Sequence, residues 1–481
     1  MRLSWPKRTP RSIAGEHASE AVLSLPPVVT DDGPAEIVEQ PDQVGYRTRR
    51  SLSKARRGWY APVAEPAPTT TRQAEVLNPA ILARATDDEG ITIGEDCLTN
   101  APVSHDPFTA YAKKQLRSPN VVVIGNIGYA KSSLLKTVYT LRALAFKRRR
   151  AVVLDKKNQG GEGEYAELTR RYGTEPIKFI LGDGGSRVNL LDPAISAGEN
   201  GRARQYALLR AVAELSNDNK ALDKWEAQAL RVAHRALLAD TAADPRPPVL
   251  PDLLPFLGMD HDEYADFSAA AKERMHQAGL SVRFLFDALL SDELAGLFDG
   301  PTSADVNLAS RLTTFDVSQL PEEGPAIAMA MATINTWFTG TLTNQYRLGG
   351  PAMRTNFIVE EGWVLTAKSM GALYKKNAKL SRGLGISNIT AFHHPADIPP
   401  DSPAIAAIKE AETVHLYRQE RDEDVEACIK LFNLHAGAGT ILQSLEPGHH
   451  LLKIGSNAEV HVYHTLSDME RYLIDTDKAM V

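Results

Sequence analysis

An apolar run at Val121–Ile124 passes directly into a short loop and then into a segment with helical periodicity, residues 130–147. The loop and first helical residues, 125–133, read Gly-Asn-Ile-Gly-Tyr-Ala-Lys-Ser-Ser and depart at one position from the pattern G-x-x-x-x-G-K-[ST]. A strand, a loop and a helix in this order aim successive backbone N–H groups and the positive end of the helix dipole at one point. The segment therefore predicts a phosphate-binding loop.

The residues of this loop have predicted roles in a site for ATP and Mg²⁺. Lys131 is expected to reach the β- and γ-phosphates, Ser132 to bind Mg²⁺, and Ser133 to contact the α-phosphate. Ala130 stands where the pattern has its last glycine, and its methyl group is expected to cost on the order of 1 kcal/mol if φ there is unfavourable for alanine. The remaining residues of the predicted nucleotide-binding loop are Gly125, Asn126, Ile127, Gly128 and Tyr129.

Further apolar runs alternate with long helical stretches, which predicts an α/β fold with a mostly parallel sheet covered by helices on both faces. The predicted central strands lie at residues 151–154, 177–181, 312–315, 357–359 and 386–392. Three later runs are predicted as strands at the sheet edge, at residues 412–417, 449–454 and 459–463.

The chain has a distinct N-terminal region. Residues 1–95 hold 10 of the 29 prolines and show little periodicity, so they are predicted to be a largely disordered arm. Within it, residues 47–57 carry six cations and are followed by Trp59 and Tyr60. This basic segment is either a solvated tail or a binding site for phosphate groups or an anionic membrane surface.

The remaining residues are predicted to form one motor domain, 96–470, with a short tail at 471–481. Residues 200–295 within it are rich in Ala, Leu and charge and are predicted to be an all-helical insertion. The length of 481 residues alone would allow two to four domains.

Composition excludes several classes of protein. Two cysteines, Cys97 and Cys428, exclude a disulfide scaffold and a four-cysteine zinc site, and they favour a reducing compartment. No apolar run is long enough to span a bilayer, and no signal peptide is evident. The formal net charge of −6 means that any binding of nucleic acid would depend on a local basic patch.

A second apolar run, at residues 355–359, ends in Glu360 and Glu361. Ligands of open α/β sheets bind at the carboxyl ends of the strands, so both carboxylates are expected near the phosphate loop. Glu360 is predicted to hold Mg²⁺ through water or through Ser132. Glu361 is predicted to polarise the attacking water.

The order of these motifs resembles the ATPases of type IV secretion and conjugation systems, the TraC/VirB type, within the FtsK/HerA-like P-loop motor ATPases of RecA-like fold. The resemblance covers about residues 118–470. Besides the phosphate loop, it rests on blocks at residues 153–156, 164–168, 188–193, 297–300, 314–320, 360–363, 381–383, 389–397 and 445–448.

The resemblance implies an ATP-hydrolysing motor that works as a ring, as a hexamer, at the cytoplasmic face of the cell membrane beside membrane-embedded secretion components. His393 stands where the family has a glutamine that senses the γ-phosphate, and Glu360 replaces the family's aspartate. Arg382 is a candidate arginine finger for the nucleotide of the neighbouring subunit. The basic segment at 47–57 would take over membrane docking from the large N-terminal domain that family members usually carry.

Two other functions remain open. Ala130, Glu360 and His393 all depart from the family pattern at the catalytic centre, which would also fit a nucleotide-binding scaffold with little hydrolysis. A DNA translocase is the other alternative, and direct contact with DNA would need a basic surface. The weak candidates for such a surface are residues 147–150 and Lys375, Lys376, Lys379 and Arg382.

Overall fold

The structure is a computed structural model that describes residues 89–350, 353–362, 380–395 and 408–474, together with positions 47–48, 62–63, 371, 373, 377, 402 and 405. The chain divides into two units, residues 1–82 and 83–481. The described part of the first unit is a pair of antiparallel strands, β1 (Arg47–Thr48) and β2 (Pro62–Val63). Most of the predicted arm and basic segment, Trp363, and the lysines at 375, 376 and 379 lie outside the described residues.

The second unit is built on a sheet of 11 strands in the order β4-β3-β15-β14-β13-β5-β12-β11-β6-β10-β9. A small separate pair joins β7 (Asn158–Gln159) and β8 (Glu162–Gly163). The strands of the large sheet are β3 (Ile91–Asp96), β4 (Pro102–His105), β5 (Val121–Ile124), β6 (Arg149–Asp155), β9 (Ile177–Lys178), β10 (Leu312–Asp316), β11 (Arg354–Val359), β12 (Ile386–Phe392), β13 (Thr413–Leu416), β14 (His449–Ile454) and β15 (Val460–His464).

All neighbours from β13 to β9 pair in parallel, whereas β14, β15, β3 and β4 add on in antiparallel pairs. The central strands are continuous apolar or small-residue runs because both of their faces are covered. In β6, for example, Val152 and Leu154 belong to one buried cluster, while Ala151 and Val153 belong to another on the opposite face. The predicted mostly parallel sheet with two covered faces is confirmed.

The helices form the outer layers and the segment between β9 and β10. Long helices of that segment pack on one another around buried residues such as Leu230, Val282 and Phe286. The helices are α1 (Pro107–Ala112), α2 (Lys131–Leu134), α3 (Ala166–Arg171), α4 (Gly201–Ser216), α5 (Lys224–Asp240), α6 (Leu250–Leu253), α7 (Ala269–Ala288), α8 (Ala326–Arg347), α9 (Asp422–Phe432), α10 (Ala438–Ser444) and α11 (Asp468–Ile474), with π-helical turns at Leu135–Arg142 and Leu289–Glu293.

Three details differ from the sequence-based expectations. The predicted edge strand at 412–417 is β13, which lies inside the sheet beside β5, and the edges are β4 and β9. The predicted strand at 177–181 is only two residues long. The sheet also includes β3, so the expected division between arm and motor at residue 95 falls within a strand. The limits 200–295 of the helical insertion stay a prediction.

The helices of the described residues include none that combines the length and the apolar character needed to cross a membrane.

Candidate nucleotide site

The predicted phosphate loop connects the carboxyl end of β5 to the start of α2. The amide of Gly125 donates to the carbonyl of Phe392 in β12 (3.2 Å), and the amide of Asn126 donates to the carbonyl of Arg418 (3.0 Å). A Cβ atom on Gly125 would collide with the Cβ of Tyr417, so only glycine fits there. The loop is thus fixed by the strands on both sides of β5, which is the rigid support that a binding loop needs.

The apex of the loop faces outward. Ile127 is 74% exposed, and Gly128 has a φ of 85°. The half-buried ring of Tyr129 lies under the guanidinium group of Arg418, at 5.5 Å from its centroid. Ser133 is half-buried in the first turn of α2.

Ala130 adopts the left-handed conformation, with φ 70° and ψ 27°, immediately before α2. A Cβ atom in this region meets the following carbonyl oxygen, and the cost is about 1–2 kcal/mol for residues other than glycine. The unfavourable φ on which the predicted cost of Ala130 depends is therefore present in the folded chain. Strain of this kind persists only where the surrounding structure enforces it, here between a buried strand and a helix start.

Lys131 turns its ammonium group back over the loop instead of into solvent. Its Nζ atom donates to the carbonyl oxygens of Gly125 (2.5 Å) and Asn126 (2.8 Å). It also donates to Nδ1 of His393 at 3.2 Å. These acceptors hold the cation at the position where the phosphates of a nucleotide are expected.

The environment of Lys131 weakens its hold on its proton. Burial lowers the pKa of Lys131 to about 8, and the positive charge of Lys157 contributes to the decrease. The carboxylates of Glu360 and Glu361 act in the opposite direction. A bound polyanion would favour the charged ammonium form, since an opposite charge nearby raises the pKa of an amine.

Glu360 lies directly beside α2. Its Oε2 atom accepts a hydrogen bond from the hydroxyl of Ser132 (3.0 Å), and its Oε1 atom accepts one from the hydroxyl of Tyr165 (2.5 Å). Burial raises the pKa of Glu360, and the neighbouring carboxylate of Glu164 contributes to the rise. The additional methylene of glutamate, compared with aspartate, does not prevent this carboxylate from reaching the serine.

His393 lies between Lys131 and Glu361. Because its Nδ1 accepts from the lysine, Nε2 carries the proton in the neutral ring and faces Oε1 of Glu361 at 3.4 Å. His393 and Glu361 are both partly shielded from solvent, with side-chain exposures of 26% and 15%. The structure therefore brings together Lys131, Ser132, Glu360, Glu361 and His393, as the sequence predicts.

A second group of charged residues supports Glu360, and the sequence did not assign it a role. The buried carboxylate of Glu164 pairs with Lys136 (2.9 Å) and Lys157 (3.1 Å). Although burial opposes ionisation, the two lysines hold the pKa of Glu164 below its usual range. Residues 164–168 form one block of the family resemblance, so the sequence marks Glu164 and Tyr165 but indicates no role for either.

Asp155 is the most enclosed acid of this group. Its carboxylate accepts a hydrogen bond from the backbone N–H of Tyr165 at 2.7 Å. Burial raises the pKa of Asp155 well above its usual value, and Glu360 and Asp316 add to the rise. Asp155 therefore orients the segment that carries Tyr165 instead of contributing an exposed negative charge.

Arg382 lies away from the phosphate loop in the folded structure. It precedes β12, and it lines a pocket of about 880 Å³ near the amino ends of β6 and β11. The phosphate loop follows the carboxyl end of β5, which is parallel to β12. Arg382 and the phosphate loop therefore lie at opposite ends of the parallel strands. Within one chain, the structure thus does not bring Arg382 to Lys131. The other cations of this pocket are Lys147, Arg148, Arg149, Arg150 and Arg354.

The polar groups of this site are suited to a nucleotide with bound Mg²⁺. The start of α2, a buried lysine and a loop of backbone amides suit phosphate oxygens. The Ser132 hydroxyl and the Glu360 carboxylate are oxygen ligands of the kind that Mg²⁺ takes. The buried Oδ1 of Asn126 has no hydrogen-bond partner among the described residues, which leaves a polar atom at the loop for a ligand or water.

Solved structures provide a comparison for this architecture. VirB4 of Thermoanaerobacter pseudethanolicus has a TM-score of 0.64 and 20% sequence identity, covering 81% of this chain and 100% of the VirB4 chain. Plasmid coupling protein TrwB in complex with ADP and Mg²⁺ has a TM-score of 0.47 and 15% identity, covering 82% and 93%. No protein-family model and no curated protein matches the chain. The similarity to VirB4 shows a shared fold, so the predicted likeness to a type IV secretion ATPase is confirmed at the level of the fold.

Proposed function

We propose that this chain is an ATP-hydrolysing motor of a type IV secretion or conjugation apparatus. The observation that carries the proposal is the convergence of Lys131, the Ser132–Glu360 pair and the His393–Glu361 pair at the start of α2. The fold shared with VirB4 supports the choice of apparatus. Assembly beside membrane-embedded components at the cytoplasmic face is part of the proposal.

In the proposed reaction, ATP takes over the contacts that Lys131 makes with its own loop. The ammonium group leaves the carbonyl oxygens of Gly125 and Asn126 and binds the β- and γ-phosphate oxygens. The backbone amides of the loop and the positive end of the helix dipole bind the remaining phosphate oxygens. Ser133 contacts the α-phosphate.

Ser132 and Glu360 would hold Mg²⁺, which would supply charge neutralisation for the phosphates. Glu361 orients a water molecule for in-line attack on the γ-phosphorus and accepts its proton as the bond from that phosphorus to the ADP oxygen breaks. His393 lies between Lys131 and Glu361, so its contacts must change when a γ-phosphate is bound or released. It is the proposed sensor of the γ-phosphate.

The proposed ring places Arg382 of each subunit at the nucleotide of its neighbour. Arg382 lies at the amino ends of the parallel strands, and the phosphate loop lies at their carboxyl ends. This arrangement is compatible with a head-to-tail ring, in which the amino ends in one subunit face the carboxyl ends in the next. The arginine would stabilise the charge that develops on the transferred phosphoryl group. A hexamer is the proposed size of the ring.

A nucleotide-binding scaffold with little hydrolysis is the second candidate. Two observations favour it: the strained Ala130 and the retention of Lys131 by three acceptors of its own chain. Nucleotide would have to compete with these contacts. A scaffold of this kind would bind ATP without steady turnover.

Steady-state ATPase activity separates the two candidates. The wild type is compared with Lys131→Ala and Glu361→Gln, and the exposed Lys220→Ala and Glu322→Gln serve as matched controls. A motor requires turnover that both site variants abolish and both controls retain, with Glu361→Gln still binding ATP. Equal rates in all five proteins would refute catalysis at this site. ATP binding without turnover in the wild type would favour the scaffold.

The same assay with added DNA addresses the translocase alternative. DNA binding that weakens steeply with salt, together with faster hydrolysis, would indicate direct contact with the nucleic acid. An unchanged rate would favour a motor that acts on protein components.

A further inference from the structure

Three metal-ligating side chains meet on the antiparallel part of the sheet, outside the candidate nucleotide site. The Sγ atom of Cys97 lies 3.4 Å from Nδ1 of His449, and that nitrogen lies 3.3 Å from Nε2 of His461. All three ligand atoms lie within 4.8 Å of one another. The residues come from distant parts of the sequence, since 352 positions separate Cys97 from His449.

Neighbouring strands fix the relative positions of these side chains. His449 begins β14, His461 lies in β15, and Cys97 directly follows β3. β15 pairs with both β14 and β3. The amide of Cys97 also donates to the carbonyl of His461 at 2.8 Å. A cluster held by paired strands keeps its geometry better than one built on loops.

The separations agree with tetrahedral coordination of zinc. Zinc binds imidazole nitrogen at about 2.0–2.1 Å and thiolate sulfur at about 2.3 Å. Tetrahedral angles then place two ligand atoms about 3.3–3.6 Å apart. The two short separations in the cluster, 3.4 Å and 3.3 Å, fall in this range. The third pair, Sγ of Cys97 and the ring nitrogen of His461, lies within 4.8 Å and must close toward this range when an ion binds.

The surroundings leave room for an ion and a further ligand. A pocket of about 270 Å³ opens at Cys97 and His449 and is also lined by Glu95, Asn100 and Tyr463. The carboxylate of Asp96 already accepts hydrogen bonds from the Leu98 amide (3.1 Å) and the Thr99 hydroxyl (2.5 Å). Asp96 is thus already engaged, and the pocket leaves room for a water molecule as the fourth ligand.

We propose that Cys97, His449 and His461 bind a zinc ion whose fourth ligand is water. On binding, the Cys97 thiol releases its proton to solvent, and the sulfur bonds to the metal as thiolate. The ion would tie the end of β3 to the C-terminal strands β14 and β15.

The test uses the full chain, stripped of metal with a chelator and titrated with Zn²⁺ against a chromophoric competitor. The expected result is one Zn²⁺ per chain in the wild type. Cys97→Ala and His461→Ala should each weaken binding by more than about tenfold, because loss of an outer-shell partner alone costs about 10–100-fold. The matched control is His435→Ala, since that imidazole is exposed and pairs with Glu459.

Cobalt provides a second, spectroscopic readout. Co²⁺ in the wild-type site should give a thiolate-to-metal charge-transfer band. The band should disappear in Cys97→Ala and persist in Cys428→Ala, which lacks the other cysteine. Absence of stoichiometric Zn²⁺ binding by the wild type would overturn the proposal. So would binding that neither Cys97→Ala nor His461→Ala weakens.

Discussion

The hydroxyl of Tyr165 donates a hydrogen bond to Oε1 of Glu360 across 2.5 Å, although 195 residues separate the two in sequence. The other oxygen of the same carboxylate accepts from Ser132. Tyr165 is fully buried, and burial raises its pKa, so the hydroxyl stays protonated and remains a donor. Tyr165 is therefore a positioning residue for the carboxylate that is proposed to hold Mg²⁺.

Tyr165→Phe tests this role. The hydrogen bond from Tyr165 lowers the pKa of Glu360, against the rise caused by burial. Its loss should shift the acidic limb of the ATPase pH profile to higher pH, because a protonated carboxyl is a poorer ligand. The Mg²⁺ concentration for half-maximal activity should rise about 10–100-fold. The exposed Tyr346→Phe is the control, and an unchanged Mg²⁺ dependence in Tyr165→Phe would exclude the positioning role.

Ala130→Gly should stabilise the protein. Glycine adopts the observed φ of 70° without the steric cost that alanine has there. The free energy of unfolding, measured with denaturant, should increase by about 1 kcal/mol. Ala207→Gly in the middle of α4 is the matched control, and it should decrease that free energy by about 1 kcal/mol. Destabilisation of both variants would show that the loop conformation at Ala130 is not strained.

The affinity for ATP should depend on the charge of Lys131. Its pKa is lowered to about 8, so without nucleotide the charged form is lost as the pH rises through that value. The phosphates bind the charged form. The affinity should therefore be nearly constant below about pH 8 and decrease toward about tenfold per pH unit above it. Lys131→Met should bind weakly, with no such break, and parallel profiles for the two proteins would contradict the assignment.

Arg382 should act on the nucleotide of the neighbouring subunit. Arg382→Ala alone should lose about 10³-fold or more in turnover while its ATP affinity is retained. Mixed with Lys131→Ala, it should recover on the order of a quarter of the wild-type activity, because random mixing pairs an intact nucleotide site with an intact arginine at that fraction of interfaces. A mixture of Lys131→Ala and Glu361→Gln should recover nothing, since both changes affect the same site. Absence of recovery in the first mixture would place Arg382 outside the active site.

The candidate site was predictable because its determinants are local. The order of β5, loop and α2 is written in one continuous segment, and the pair Glu360–Glu361 directly follows an apolar strand. Parallel strands align their carboxyl ends at one edge, so the two segments had to meet. The support from Tyr165, Lys136 and Lys157 could not be assigned in the same way, because nothing in the local sequence indicates which distant carboxylate these side chains reach.

The sequence by itself determined the alternation of buried strands and helices, the phosphate loop and the acids that face it, because hydrophobic periodicity and turn chemistry act over a few residues. Only the tertiary structure decided that β3 and β4 extend the sheet and that Cys97 meets His449 and His461. These relationships depend on antiparallel pairing and chain crossings between segments hundreds of residues apart. Such pairing is set by the packing of the whole sheet, and no local pattern records it.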